Sequence, residues 1–380
     1  MLFWWPLEAD LFRAPFRRWG AYIRSYMARR QITDLVLFGD CRPYHRVAIA
    51  IARRQGIAVH VLEEGYLRPH WITLESDGAN ALSSFPRDAT TIRELAAQLP
   101  VASPREEVSG GFAARAVWDI AYHLVTVGLG TAFPNYVKHR PYHPFHEAWG
   151  WIRRLLARHS LHRQQVADAE NWLAPDGRVF LFPLQLDADY QVRRHSSMRS
   201  VSNAVRAVLT SFAAHAGSDD RLLIKIHPLD NGLVDHRSLV RSLASALGLG
   251  DRVMVLDGGD LAAFMQRCAG VIVINSTTGI TAMHHRRPVA VLGNAIYDIE
   301  GLTHQGSIDS FWRAPTMPDP ELFADFFKLL MARTQVNGSF FTRRGIELGV
   351  EGALRRLEAV QPKRAALPAS RQLVVSLGQN

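Results

Sequence analysis

Short apolar runs of strand length alternate with longer segments of helical periodicity along most of the chain. In the first third, residues 35–38 and 58–62 are predicted strands, and residues 45–54 between them are a predicted helix that Gly56 ends. A strand–helix–strand unit of this kind is typical of parallel sheets. Five further strands are predicted at 179–182, 222–226, 253–256, 271–274 and 289–291, with helices at 198–214, 239–247, 260–267, 279–285, 320–333 and 345–360.

The regular spacing of these elements predicts an α/β protein with two Rossmann-like halves. The join between the halves is predicted near residue 176, after a stretch of helical character that is rich in aromatic and basic residues. We therefore predict three parts: 1–175, which includes this helical insertion, 176–335, and a C-terminal helix with a basic tail at 336–380.

The chain is basic, with 44 Lys and Arg residues against 35 Asp and Glu residues and a net charge of +9. This charge favours a polyanionic partner: a phosphate-bearing substrate, an anionic membrane surface or a nucleic acid. No nucleic-acid-binding motif is present, so nucleic acid is not an expected partner. Cys41 and Cys268 match no metal-binding spacing and indicate a reducing compartment.

A membrane-spanning segment is not predicted. The first 12 residues are apolar but lack the basic start and the cleavage site of a signal peptide. The longest apolar stretch, 114–133, contains Arg115, Asp119 and His123, and charged groups are costly inside a bilayer. The expected location is the cytoplasm, with peripheral attachment to the inner membrane.

Residues 11–30 combine aromatic side chains with six arginines, and two interpretations are open. A helix of this composition can lie on an anionic lipid surface. Alternatively, it is a solvated basic helix that packs Trp19, Ile23 and Met27 into its own domain, with Pro15 and Gly20 breaking the helix. A second basic and aromatic patch at 138–143, which includes Arg140, is either a phosphate or sugar contact or an ordinary loop.

Polar residues follow three of the predicted strands. Glu63 and Glu64 come at the end of the second strand, where adjacent carboxylates are poor strand residues but suit a site. Asp189 follows the third strand and can act as a nucleophile or a base. Asp187 fits a turn equally well. Flanking polar residues that can contact a substrate or a phosphate are Gln185, Gln191, His195, Lys225 and His227, and Pro228 fixes the backbone beside His227.

The segment Asn275-Ser276-Thr277-Thr278-Gly279 follows an apolar strand and opens a predicted helix. Hydroxyls and backbone amides at such a position can bind the phosphate of a nucleotide, although Ser and Thr also simply cap helices. The segment is not a Walker A loop. Asp187-Ala188-Asp189 has the letters of a DxD metal motif, so a divalent cation is an open alternative, but no metal is expected to be required.

Four separated motifs in order resemble the capsule polysaccharide biosynthesis and export proteins of the KpsS type. They are EEGYLRPHWITLE from Glu63, PLQLDADYQVRRHS from Pro183, KIHP from Lys225 and NSTTG from Asn275, and the resemblance extends over 38–313. It implies a GT-B-like glycosyltransferase with an interdomain cleft between an acceptor-side domain and a domain that binds a nucleotide sugar. The implied reaction is retaining transfer of β-Kdo (3-deoxy-D-manno-octulosonate) from CMP-Kdo to a lyso-phosphatidylglycerol acceptor, the start of a capsule linker.

The resemblance also implies roles for individual residues. Asp189 matches the catalytic carboxylate, and Glu63 or Glu64 matches a second one. His227-Pro228 and the hydroxyl segment match the groups that hold CMP, and Arg68 lies within the first motif. The tripeptide 186–188 departs from the family pattern, which weakens any role for Asp187 but leaves Asp189 in register.

Two other functions remain open. The chain is alternatively a CMP- or UDP-sugar transferase of the same fold, or a non-catalytic adaptor for capsule-assembly proteins at the inner membrane. The adaptor hypothesis predicts that loss of the Asp189 carboxylate leaves function intact, whereas the enzyme hypotheses predict that function is lost.

Overall fold

The protein is described by a computed structural model, which covers residues 9–100, 105–108, 111–138, 142, 145–154, 169, 171–173, 177–360 and 375–376. The chain forms two compact units, and each of them draws on separate stretches of sequence. Unit 1 consists of Met1–Ala79, Glu106–Pro141 and Val336–Asn380, and unit 2 consists of Asn80–Arg105 and Tyr142–Gln335.

Helices and strands alternate along the described residues. The strands are β1 (Asp34–Phe38), β2 (Ala58–Glu64), β3 (Trp71–Ser76), β4 (Val179–Pro183), β5 (Arg221–Lys225), β6 (Val253–Leu256), β7 (Gly270–Val273), β8 (Val289–Val291), β9 (Gln335–Asn337) and β10 (Val375–Ser376). The helices are α1 (Trp19–Arg29), α2 (Pro43–Arg54), α3 (Ala89–Ala97), α4 (Phe112–Gly128), α5 (145–154), α6 (Tyr190–Arg194), α7 (Val201–His215), α8 (His236–Ala246), α9 (Leu261–Arg267), α10 (Thr278–His284), α11 (Ile308–Phe311), α12 (Pro320–Thr334) and α13 (Arg343–Val360). None of these described helices is both long and apolar enough to cross a membrane.

Unit 2 contains a five-stranded sheet in the order β6-β5-β4-β7-β8, and every neighbouring pair is parallel. Counted along the chain this order is 3-2-1-4-5, the order of a doubly wound Rossmann sheet. The central strand β4 is buried along its whole length, which explains its unbroken apolar sequence. Phe180, Phe212 and Trp312 form the centre of the surrounding core. The predicted parallel α/β sheet is confirmed here.

Unit 1 contains a mixed sheet in the order β10-β1-β2-β3-β9. β1 pairs in parallel with β2, and α2 connects the two strands, so the predicted strand–helix–strand unit is confirmed. β3 was not predicted, and it runs antiparallel to β2. Because β3 continues the ladder, Glu63 pairs with Thr73 and Glu64 pairs with Ile72. Strand β2 therefore extends two residues beyond the predicted limit of 62, and the two glutamates are its last residues, at the strand end where they were expected.

Helix α1 packs against α2 in unit 1. Trp19, Ile23 and Met27 contact the core of the unit, as the second interpretation of this segment predicts. The expected break at Gly20 is wrong, because Gly20 is the second residue of the helix. A Cβ atom at this position would lie 3.6 Å from Cγ1 of Val47, an ordinary van der Waals distance, so the packing of α1 on α2 does not require glycine here.

Candidate active site

The carboxyl edge of the unit 2 sheet collects most of the polar residues that the sequence singles out. Ligands of open α/β sheets bind outside the carboxyl ends of the strands, which lie at one edge of a parallel sheet. Here β4 ends at Pro183, β5 ends at Lys225 and β7 ends at Val273. The polar segments that follow these three strands therefore begin at the same edge.

Asn275 joins the segment after β7 to the segment after β4. Its backbone N–H donates to Oε1 of Gln185, and the Gln185 side-chain amide donates to Oδ1 of Asn275, both at 3.0 Å. Its own side-chain amide donates to the backbone carbonyls of Gln191 at 2.7 Å and His195 at 3.3 Å. Gln185 and His195 are buried. Three predicted substrate-binding residues are thus held together by a side chain to which we assigned no role from the sequence.

Asp189 is the N-cap residue of α6. Its Oδ1 atom accepts a hydrogen bond from the backbone N–H of Gln191 at 2.9 Å. Ser, Thr, Asp and Asn all make such caps, and asparagine is as effective as aspartate. The cap therefore explains a polar residue at this position but does not require a carboxylate.

Asp187 has a structural role in unit 2. Its Oδ1 atom accepts a hydrogen bond from the backbone N–H of Val201 at 3.1 Å, where α7 begins. Its Oδ2 atom accepts one from the hydroxyl of Tyr142 at 3.3 Å. These contacts fit the turn role that the sequence left open for Asp187. Binding of a divalent cation to Asp187 and Asp189 stays a prediction.

The hydroxyl segment turns directly from β7 into α10. The Oγ atom of Ser276 donates to Oγ1 of Thr278 at 3.0 Å and accepts from the Thr278 backbone N–H at 3.2 Å. Thr277 is the N-cap residue, but its side chain makes no capping hydrogen bond. A Cβ atom on Gly279 would lie 2.6 Å from the ring of Tyr297, whose hydroxyl donates to the Ser276 carbonyl. Glycine is needed here for close packing.

Lys225 and His227 lie at the end of β5. Lys225 is buried, and burial lowers the pKa of its ammonium group, although the nearby carboxylate of Asp257 acts in the opposite direction. Nδ1 of His227 accepts a hydrogen bond from the backbone N–H of Leu229 at 3.0 Å. A neutral His227 ring therefore carries its proton on Nε2, which makes Nε2 a donor. Pro228 is exposed.

Arg154, the last described residue of α5, binds the same strand ends. Its Nη2 atom lies 2.6 Å from Oδ1 of Asp257, which follows β6, and donates to the His227 carbonyl at 3.2 Å. Its Nη1 atom donates to the carbonyl of Asp230. The sequence analysis missed Arg154 and Asp257 because they are 103 residues apart, and no local spacing signals the pair.

In unit 1 the two adjacent glutamates have different surroundings. Glu64 forms ion pairs with Arg68 at 3.0 Å and with Arg115 at 2.7 Å. Glu63 lies beside the turn after β1, where its Oε1 atom is 3.4 Å from the position of a Cβ atom on Gly39. The Glu64 carboxylate and the Arg68 guanidinium, both predicted site groups, thus bind each other.

The basic patch at 138–143 is only partly described. Lys138 is exposed at the end of the segment that follows α4. Arg140, a predicted substrate-binding residue, lies outside the described residues.

Residues 33–341 match the family model described as capsule polysaccharide biosynthesis protein, and the chain belongs to this family. It is 35% identical over 350 residues to the capsule polysaccharide modification protein LipB of Neisseria meningitidis serogroup B, an alignment that covers 90% of this chain and 83% of LipB. It is also 35% identical over 328 residues to the capsule polysaccharide export protein KpsS of Escherichia coli, with 86% of this chain and 83% of KpsS covered. The resemblance in the four motifs is thereby confirmed.

Among solved structures, the chain is similar to KpsC of Thermosulfurimonas dismutans, a β-Kdo 2,7 transferase. The TM-score is 0.44 and the sequence identity is 13%, with 88% of this chain and 89% of the other chain covered.

Proposed function

We propose that this chain is a retaining glycosyltransferase that moves β-Kdo from CMP-Kdo to a lyso-phosphatidylglycerol acceptor. Membership of the capsule polysaccharide biosynthesis family supports a role in capsule assembly. The observation that carries the proposal is the hydrogen-bond network of Asn275. It fixes the hydroxyl segment and the Asp189 segment side by side at the edge of a Rossmann sheet, where nucleotide ligands bind.

The donor nucleotide is assigned to unit 2. The hydroxyl of Thr277 and the backbone of the hydroxyl segment offer hydrogen-bond donors to a phosphate. Nε2–H of His227 offers another donor, and Arg154 adds positive charge close to it. This set of groups suits the single phosphate of CMP.

Asp189 is assigned as the nucleophile. Its carboxylate attacks the anomeric carbon of Kdo, and the bond from that carbon to the CMP phosphate oxygen breaks with its electron pair leaving on CMP. An acceptor hydroxyl then attacks the same carbon, releases the Asp189 carboxylate and loses its proton to a base. Two inversions retain the configuration of the sugar.

Glu63 is assigned as the base, in preference to Glu64. A base must lie within hydrogen-bond reach of the proton that it accepts. Glu64 is held by two arginine side chains. Glu63 lies instead beside the Gly39 turn at the carboxyl end of β1, the edge at which ligands of such sheets bind.

The decisive experiment compares Asp189→Asn with Asp189→Ala in a transfer assay with CMP-Kdo and a fluorescent lyso-phosphatidylglycerol. Asparagine preserves the cap of α6 and removes the nucleophile, so we expect D189N to keep wild-type thermal stability and to lose transfer by about a thousandfold or more. D189A loses the cap as well and is expected to lower the free energy of unfolding by about 1 kcal/mol.

The cap of Asp189 also favours a second candidate function, a non-catalytic capsule-assembly adaptor. In an adaptor, Asp189 would be kept for the cap alone. D189N would then restore capsule formation in cells to the wild-type level while D189A reduced it. Full capsule formation in cells with D189N, together with no transfer by the well-folded wild-type chain, would contradict the transferase proposal and support the adaptor.

A further inference from the structure

Helix α4 of unit 1 exposes a row of large apolar side chains. Val117, Ile120, Leu124 and Val127 follow the i, i+3, i+7, i+10 spacing that places residues on one face of a helix. Their exposed fractions run from 44% for Val127 to 70% for Leu124. Trp118 is also exposed, but it lies on another side of the helix. We call the four residues of the row the α4 apolar face.

The charged residues of α4 are held away from this face. Arg115 pairs with Glu64 and lies over the ring of Phe341 at 5.2 Å, which fixes the start of the helix to its own unit. Asp119 lies 3.8 Å from Nε2 of His123, one turn further along. The α4 apolar face therefore presents no charge to its surroundings, unlike an ordinary solvent-facing helix surface.

A basic cluster lies beside the end of α4. The guanidinium of Arg13 stands over the ring of Phe133 at 5.2 Å, and Asn135 donates a hydrogen bond to the Arg13 carbonyl at 3.0 Å. Arg17 and Arg18 follow in the same segment. The exposed members of this basic cluster are Arg13, Arg17, Arg18 and Lys138.

Aromatic contacts fix the basic cluster to the segment after α4. Phe16 contacts the ring of Tyr44 edge to face at 4.9 Å, and the Tyr44 ring stacks on Tyr136 at 5.8 Å. The backbone N–H of Val137 donates to the Tyr44 hydroxyl at 3.2 Å. The basic cluster is therefore packed against the segment that directly follows α4 in unit 1.

We propose that the α4 apolar face and the basic cluster together form a docking surface for an anionic lipid bilayer. An apolar helix face inserts at the boundary between head groups and acyl chains, and neighbouring arginines bind anionic head groups. A second copy of this chain would bring another net charge of +9 to the basic cluster, whereas anionic lipid neutralises it. The inference goes beyond the proposed transfer reaction and needs no donor or acceptor.

The test is flotation of the purified chain with vesicles of phosphatidylcholine alone or of phosphatidylcholine mixed with phosphatidylglycerol. We expect binding to the anionic vesicles and little binding to the neutral ones. Removing two inserted side chains with I120S/L124S is expected to weaken binding by about tenfold or more. R17Q/R18Q is expected to weaken it by about fivefold per arginine, and added salt should do the same.

The matched control is L82S/M317S, which removes two exposed apolar side chains of unit 2 and should bind like the wild type. Wild-type binding by I120S/L124S would overturn the proposal. So would conversion of a dimer to a monomer by this variant in sedimentation, with vesicle binding unchanged.

A negative result in the vesicle test and a negative result in the transfer test can be told apart. A chain that transfers Kdo to a soluble acceptor but does not bind anionic vesicles would overturn the docking surface alone. A chain that binds vesicles through α4 and transfers nothing would overturn the transferase alone.

Discussion

At the scale of single residues, two residues adjacent in sequence can have different interaction partners in the folded chain. Successive residues of a strand point to opposite faces of the sheet, so Glu63 and Glu64 cannot share one environment. Glu64 binds Arg68 and Arg115, and Glu63 does not take part in these ion pairs. The two carboxylates, between which the sequence did not distinguish, therefore have different surroundings, and the proposed assignment of Glu63 as the base uses this difference.

This difference predicts opposite outcomes for two isosteric substitutions. Glu63→Gln should reduce transfer by about a hundredfold or more, because the neutral amide cannot accept the acceptor's proton. Glu64→Gln should change transfer by less than about fivefold and lower stability instead, because two partly exposed arginines lose an ionised partner. Steady-state rates and urea unfolding of both variants check this. Equal loss of transfer in the two variants would contradict the assignment of Glu63.

Lys225, a predicted contact residue, is buried, and this burial affects the protonation of its side chain. Burial lowers the pKa of its ammonium group, and Arg154 acts in the same direction. A lysine whose pKa is lower in the folded chain binds fewer protons there than in the unfolded chain. Its contribution to stability therefore rises with pH between the folded and the unfolded pKa, and is smallest below the folded one.

At the scale of elements, α5 is positioned by one glycine. A Cβ atom on Gly150 would overlap the carbonyl oxygen of Asn231, so the helix lies directly on the loop that follows β5. Its next turn carries Arg154 to Asp257 and to the His227 carbonyl. The geometry around the proposed phosphate contacts therefore depends on the close approach of this helix.

Gly150→Ala should separate α5 from the loop. We expect a loss of about 1–3 kcal/mol in the free energy of unfolding, the usual cost of an overpacked contact, and weaker binding of CMP because Arg154 moves. Calorimetry of unfolding and titration with CMP measure the two effects. Gly128→Ala is the control, because a Cβ atom there meets nothing within 4 Å. Unchanged CMP affinity in G150A would show that Arg154 has no part in nucleotide binding.

Apolar periodicity is sufficient to predict the buried parallel strands, because both of their faces are covered and their sequences are continuously apolar. The predicted strand at 253–256 agrees with β6, and most other limits differ by one or two residues. β3 was missed because all but the last of its residues, Trp71–Ser76, lie inside a motif that we interpreted only as a site. β9 has three residues and offers no periodicity to detect.

The candidate site is harder to predict from the sequence than the parallel sheet is. The strand ends predict which segments meet, since parallel strands end at one edge. They do not predict the side chains that join those segments. Asn275 reaches Gln185 across 90 positions, and only the folded register of β4 beside β7 brings the two together.

At the scale of the whole molecule, a bound nucleotide should stabilise the chain by mass action. A ligand that binds only the folded state at about a hundredfold excess over its Kd adds about 2.7 kcal/mol to the free energy of unfolding. We expect CMP to raise the melting temperature and UDP at the same concentration to leave it unchanged. A larger shift with UDP would favour a UDP-sugar transferase, and no shift with either nucleotide would favour the adaptor.

The division of the chain between the two units has a consequence for biosynthesis. Unit 2 ends at Gln335, whereas unit 1 needs the segment from Val336 onward, which supplies most of β9 and all of α13. On the ribosome the chain emerges from its N-terminus, and domains fold as their residues become available. Unit 1 is therefore begun first and completed last. Its strands β1, β2 and β3 are synthesised early, but β9 and α13 can pack beside β3 only after the whole of unit 2 has been translated.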